Sequence, residues 1–174
     1  MSLRIFMIGA AAMVLAVPAA AQQRGTVEFG AFGSLGSFDK VLTLNRGYGV
    51  GGHVGVFLEP RVALEFEKGE MRATRTLGLT DVNVGILTGR LVVTPIKSGA
   101  LSILLGAGAG ASTETNFMHT YGVNALLGAK LELRTNAALR LDLINHWLAN
   151  YDWKTYRQVQ FGLSLYRNPS HVTK

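Results

Sequence analysis

Apolar and polar residues alternate with period two along most of the chain, the mark of strands with two different faces. Eight segments carry the alternation. The first, about 26–35, sets Val27, Phe29, Ala31 and Leu35 on one face. The second, 49–59, sets Val50, Val54, Val56 and Leu58 against His53. The third, 62–68, sets Val62, Leu64 and Phe66 against Glu65 and Glu67. The fourth, 82–94, is the least regular and groups Leu87, Leu91 and Val93 against Arg90. The fifth, 100–111, sets Leu101, Ile103, Leu105 and Ala107 against Ser102 and Gly106. The sixth, 120–133, sets Tyr121, Val123, Ala125, Leu127, Leu131 and Leu133 against Asn124, Lys130 and Glu132. The seventh, 138–148, sets Leu139, Leu141 and Leu143 against Arg140 and Asp142. The eighth, 156–166, sets Val159, Phe161, Leu163 and Leu165 against Gln158, Gln160 and Ser164.

The connections alternate as well. Short turns fall at Glu59-Pro60-Arg61, around 95–99 and at Arg134-Thr135-Asn136. Longer polar loops fall at about 36–48, 69–81, 112–119 and 149–155. Three short turns and four long loops suit an all-β, eight-stranded antiparallel up-and-down barrel, with both termini at the short-turn end. Which face points inward decides the solvent. The uncharged face carries Leu, Val, Ile and Phe on almost every strand, and the other mixes charges with Gly106, Gly108, Gly128 and Gly162. An eight-stranded interior only just holds side chains. Glycines and paired charges fit that lumen, and a wall of Leu and Phe fits lipid. Arg90 is then inward, since a midplane arginine facing lipid costs about 2–4 kcal/mol. The alternative is a soluble periplasmic barrel around an apolar ligand. Tyr48, Tyr121, Trp147, Tyr151, Trp153 and Tyr156 fall near the long-loop ends and Tyr166 near the other, as two interfacial aromatic girdles would.

Composition adds an address and removes some functions. Arg4, the apolar run from Ile5 to Val17, Pro18 and Ala19-Ala20-Ala21 form a signal peptide over 1–21. That run is too short for a membrane-spanning helix, which needs about 20 residues. The expected barrel domain is 22–174, with a short tail from about 167, in the outer membrane of a Gram-negative-type cell. There is no cysteine, hence neither a disulfide nor a thiolate metal site. The net charge is +6, falling to +5 once Arg4 leaves with the signal. The basic residues are dispersed and no nucleic-acid module is present.

The pattern resembles the small barrels of the outer membrane protein A (OmpA) transmembrane-domain type. The likeness rests on Thr26 to Gly33, Gly49 to Leu58, the glycine-rich run Leu104 to Gly110 and the ending Val159 to Tyr166. It implies a monomer among outer-membrane lipids and lipopolysaccharide, inserted by a barrel-assembly machinery. Gly162, Leu163, Leu165 and Tyr166 would then serve as the assembly signal on the last strand. Eight residues follow Tyr166, a departure from a terminal aromatic, and no peptidoglycan-binding domain accompanies the barrel.

Candidate chemistry is sparse. Gly106-Ala107-Gly108-Ala109-Gly110 lacks the strand–turn–helix context of a nucleotide loop. No cofactor is implied, and the four histidines are too scattered to suggest a metal site. Barrel enzymes that modify lipid A are a rival class. His119 and His146 lie near the long-loop end, but no serine lies within two residues of either; Ser34 and Ser112 are the remote candidates. Asp142 shares the inward parity of His146. The stronger constellation is a lumen charge network of Glu65, Glu67, Arg90, Lys130, Glu132, Arg140 and Asp142. Unpaired charges there would be expensive, so pairing is expected. Such a network plugs the barrel, or gates it if alternative pairings open a water path. Lys40, Arg46, Lys68, Arg72, Arg75, Lys154 and Arg157 lie in or beside the long loops, where lipopolysaccharide phosphates or solvent would meet them. The sequence thus predicts a non-enzymatic barrel with a structural, surface-interaction or limited-permeability role.

Overall fold

A computed structural model describes residues 22–39, 42–75, 81–114, 117–134, 136–149 and 154–169. The expected signal segment, Lys40, Tyr151, Trp153 and the end of the tail lie outside these residues. Eight strands form: β1 Val27–Phe38, β2 Leu44–Glu59, β3 Val62–Arg75, β4 Asp81–Ser98, β5 Leu101–Glu114, β6 Phe117–Arg134, β7 Ala137–Leu148 and β8 Lys154–Arg167. Each pairs antiparallel with the next, and β8 closes on β1. All eight expected segments are strands. Gly99 holds a left-handed φ of 56° in the β4–β5 turn, a conformation that favours glycine.

Closure sets the tilt. A line of paired residues from Leu35 runs one way through Tyr48 and Arg72 to Asn83 on β4. The other way it runs through Val159, Leu143, Leu127 and Leu105 to Val93, ten residues further along the same strand. A stagger of this size tilts the strands by about 40° and leaves an interior that side chains fill.

The two faces have opposite chemistry. Phe66 is 58% exposed, whereas its neighbours Glu65 and Glu67 are 2% and 3% exposed. The same inside-out order holds on β1, β2 and β4–β8, where Phe29, Val54, Leu91, Leu105, Leu127, Leu141 and Phe161 all face outward. A soluble barrel would bury these side chains; a lipid-embedded one displays them.

The strands run further toward the loop end than the alternation suggested. Most of the expected loop 69–81 continues β3 and β4, leaving 76–80 between them. Here the sign of the alternation inverts. Met71, Ala73, Val82 and Val84 point inward, and Glu70, Arg72 and Asp81 point outward. Polar outward residues read as loop, although the backbone stays extended because its inward side chains still pack.

Three apolar clusters fill the interior beside the polar groups. Met71, Val84, Ile86, Leu148 and Tyr156, with Phe38, Leu42 and Leu44 against them, cap the loop end. Val92, Leu104, Leu126 and Ile144 line one side of the middle. Phe57, Ala63, Ala138 and Tyr166 form the floor.

Candidate functional site in the barrel lumen

Parity alone delivers a band of charged side chains to the interior, because every second residue of each tilted strand points in. Arg140 lies at its centre. Its guanidinium donates to both Glu65 oxygens, at 2.7 and 3.0 Å, and through Nε to Asp142 at 2.7 Å. It also reaches Glu28 at 3.5 Å. β7 and β3 face each other across an eight-stranded ring, so Arg140–Glu65 bridges the lumen. Lys130 on β6 donates to Glu28 on β1 at 2.7 Å. Its ammonium also lies 5.7 and 5.3 Å from the ring centroids of Phe57 and Tyr166, within cation–π range. His53 Nε2 lies 3.3 Å from Glu28 and 3.4 Å from Arg140. The imidazole covers Gly30, where any side chain would collide with the ring.

A second group sits beside the first. Arg90 donates to Glu67 and to Thr88, each at 2.8 Å. Gln160 donates to the other Glu67 oxygen at 2.7 Å, again across the lumen. At the floor, Lys97 meets Glu132 at 3.1 Å, and Gln22 donates to the same carboxylate at 3.3 Å. The segment before β1 thereby stoppers the short-turn opening, with Thr26 donating to Asn168 at 2.9 Å.

All seven sequence-derived network residues are thus interior, and each has a charged partner. The partners differ in part from the expected set. Lys130 pairs with Glu28, and Glu132 with Lys97; neither partner was among the expected network. Glu28 was legible by parity, lying between outward Val27 and Phe29. Lys97 was not, because a register irregularity between Val93 and Ile96 breaks the count. Gln22 precedes the first strand and carries no periodic signal.

The network closes the barrel. The side chains of Arg90, Lys130, Arg140, Glu28, Glu65, Glu67, Glu132 and Asp142 are almost wholly buried. A cavity of about 10 Å³ lies among Phe32, His53, Arg140, Asp142, Gln160 and Gly162. A second of the same size touches Thr88, Asn124, His146 and Tyr156. Each has room for about one water molecule.

The catalytic alternative gains no geometry. His146 is buried, stacked on Tyr156 at 4.1 Å between ring centroids, with Nε2 3.3 Å from the Gln158 side-chain oxygen. Asp142 turns to Arg140 instead. The His119 side chain lies outside the described residues. Among the described residues no cluster of metal-ligating side chains forms.

The aromatic girdles need correction. Tyr48 and Tyr121 are outward and exposed, and Trp147 is half-buried on the outer wall. Tyr156 and Tyr166 instead point into the lumen, on the inward parity of β8, where they pack in the cap and the floor. Of the loop-end cations, Arg46, Lys68 and Arg157 are exposed and Lys154 half-buried. Arg72 is paired with Asp81 at 2.6 Å.

No protein-family model matches the chain, and no curated protein sequence matches it either. Solved structures do. The outer membrane protein OprG of Pseudomonas aeruginosa superposes with a TM-score of 0.66 at 11% identity, over 86% of this chain and 99% of that one. The N-terminal β-barrel domain of OprF from the same organism gives 0.62 at 17%, over 84% and 100%. A de novo designed transmembrane β-barrel gives 0.53 at 17%, over 84% and 99%. At such identities the likeness is one of fold: an eight-stranded outer-membrane-type barrel. That a designed chain shares it shows how little the fold alone fixes the task.

Proposed function

We propose that the protein is a closed outer-membrane β-barrel with a structural or surface-interaction role. It inserts as a monomer after loss of its signal peptide, with its longer loops outward. The observation that carries this reading is the cross-lumen network: Arg140 on β7 holds Glu65 on β3 and Glu28 on β1, while an apolar cap and an aromatic floor close the two ends. An ion entering at the loop end would first meet Met71, Ile86 and Leu148, then side chains already neutralised by one another. The fold shared with OprG and the OprF barrel supports the membrane address. The engagement of His146 by Tyr156 and Gln158 supports a non-enzymatic role. Gly162, Leu163, Leu165 and Tyr166 on β8 are proposed to be read during insertion, before Tyr166 folds into the floor.

The test combines fractionation with conductance. The protein should appear in the outer-membrane fraction and migrate differently on a gel before and after boiling. In planar bilayers it should give no steady conductance above the lipid background. Recovery as a soluble periplasmic protein of unchanged mobility would overturn the address. A steady open level would overturn the plug, and loss of that level in Glu65→Ala would identify a gate.

A further inference from the structure

The outer wall breaks its own pattern at one place. The line of paired outward residues through Ala107, Ala125, Asn145 and Arg157 crosses β5 to β8. The row nearer the periplasm is Leu105, Leu127, Leu143 and Val159, and the row nearer the loops includes Val123 and Trp147. On β6 and β7 the smaller Ala125 and Asn145 lie between Leu127 and Leu143 on one side and Val123 and Trp147 on the other, which leaves a hollow. The structure shows it as an open groove of about 690 Å³ along β6, β7 and β8, within the roughly 300–1,000 Å³ of small-molecule sites.

Its chemistry is lopsided. Ala125, Leu127, Leu143 and Val159 make an apolar trough, and Asn145, Trp147 and Arg157 gather at its loop-side end. Asn145 and Arg157 are direct cross-strand partners. Among the described residues neither side chain has a hydrogen-bond or ion partner. A wall amide without a partner in hydrocarbon is costly. A guanidinium at the same level adds a planar fork of donors that suits phosphate bidentately. Tryptophan beside them marks an interfacial depth.

We propose that this groove holds one acyl lipid bearing a phosphate. A chain lies along Ala125, Leu127, Leu143 and Val159, the phosphate accepts from Arg157, and Asn145 donates to the adjoining ester or hydroxyl oxygens. The inference rests on the membrane reading above but goes beyond it, since a barrel needs no specific lipid to be embedded. Charge complementarity selects the occupant: a second copy of this wall would set Arg157 near another Arg157 or against leucines.

The test uses the full chain folded in neutral detergent, with Trp153→Phe so that Trp147 alone fluoresces. Phosphatidylglycerol with brominated chains is titrated in, and diacylglycerol with the same chains, which lacks the phosphate, is the control. Phosphatidylglycerol should reach half-quenching at about tenfold lower mole fraction, as expected from one charge-assisted phosphate contact. Arg157→Gln should remove that preference while keeping the gel shift on boiling. Asn145→Leu should raise the half-quenching fraction of both lipids, because both carry the ester oxygens it contacts. Equal quenching by the two lipids would overturn the proposal, as would a dimer in detergent that excludes both. Loss of the gel shift in the parent protein would instead indict the barrel reading itself.

Discussion

β3 carries two different proteins in one strand. From Val62 to Glu67 its outward residues are apolar and its inward ones are Ala63, Glu65 and Glu67. From Lys68 to Arg72 its outward residues are charged and its inward ones are Gly69 and Met71. The first half belongs to the belt and the second to a collar at the loop end, where β4 repeats the inversion with Asp81 outward and Val82 and Val84 inward. The backbone, the period and the pairing are continuous across the boundary. Only the sign changes. Period is set by the pleat, whereas sign is set by the solvent on each side. The collar is an ordinary water-facing barrel with an apolar core; the belt is its inverse.

The largest effect should come from breaking the belt's interior. Arg140→Ala leaves Glu28, Glu65 and Asp142 buried without their shared cation. Removing one member of a buried ion network costs about 3–5 kcal/mol. The readout is urea unfolding of protein inserted in vesicles. The loss should persist in high salt, because buried pairs are poorly screened. Met71→Ala is the matching cut in the collar. It opens a cavity among Val84, Ile86, Leu148 and Tyr156 and should cost about 2 kcal/mol, the low end for a core methionine. A smaller loss in Arg140→Ala than in Met71→Ala would mean that water reaches the belt network.

These regions differ in legibility for the same reason. The belt could be read because its outward wall is uniformly apolar and its inward charges stand out by parity. All seven of the charges singled out lie inside, and the face assigned to each strand is the one observed. The collar could not, because Glu70, Arg72 and Asp81 resemble a loop unless the inward Met71 and Val84 are counted as the core. Pairing partners were also hidden. Parity places Glu28 and Lys130 inside, but only the stagger of the closed sheet tells which of the inward groups meet.

The belt–collar contrast can be sharpened from outside with one charge. Leu141 is the middle outward residue of β7. Leu141→Arg places a guanidinium against hydrocarbon and should cost about 2–4 kcal/mol. Thr113→Arg, outward on β5 at the loop end, should cost about 0–1 kcal/mol, since the penalty fades toward the interface. Equal costs at the two positions, measured by the same unfolding assay, would show that the belt does not face lipid. A soluble barrel would predict that outcome.

The smallest effect is expected at the collar's own ion pair. Asp81 accepts from Thr74 at 2.9 Å and from Arg72 at 2.6 and 3.0 Å, all in the open. The Thr74 hydroxyl, and then the Arg72 guanidinium, hold its carboxyl below the usual aspartate range. A folded-state value below the unfolded one contributes stability that is present above the ordinary carboxylate range and lost as the pH falls through the lowered value. Asp81→Asn should therefore differ slightly from the parent at neutral pH and match it in strong acid. Half-molar salt should shrink the difference further, because exposed pairs are screened and contribute little. Arg140→Ala should show no such salt sensitivity. If both variants respond to salt alike, the lumen is as wet as the collar, and the distinction drawn from their opposite polarity fails.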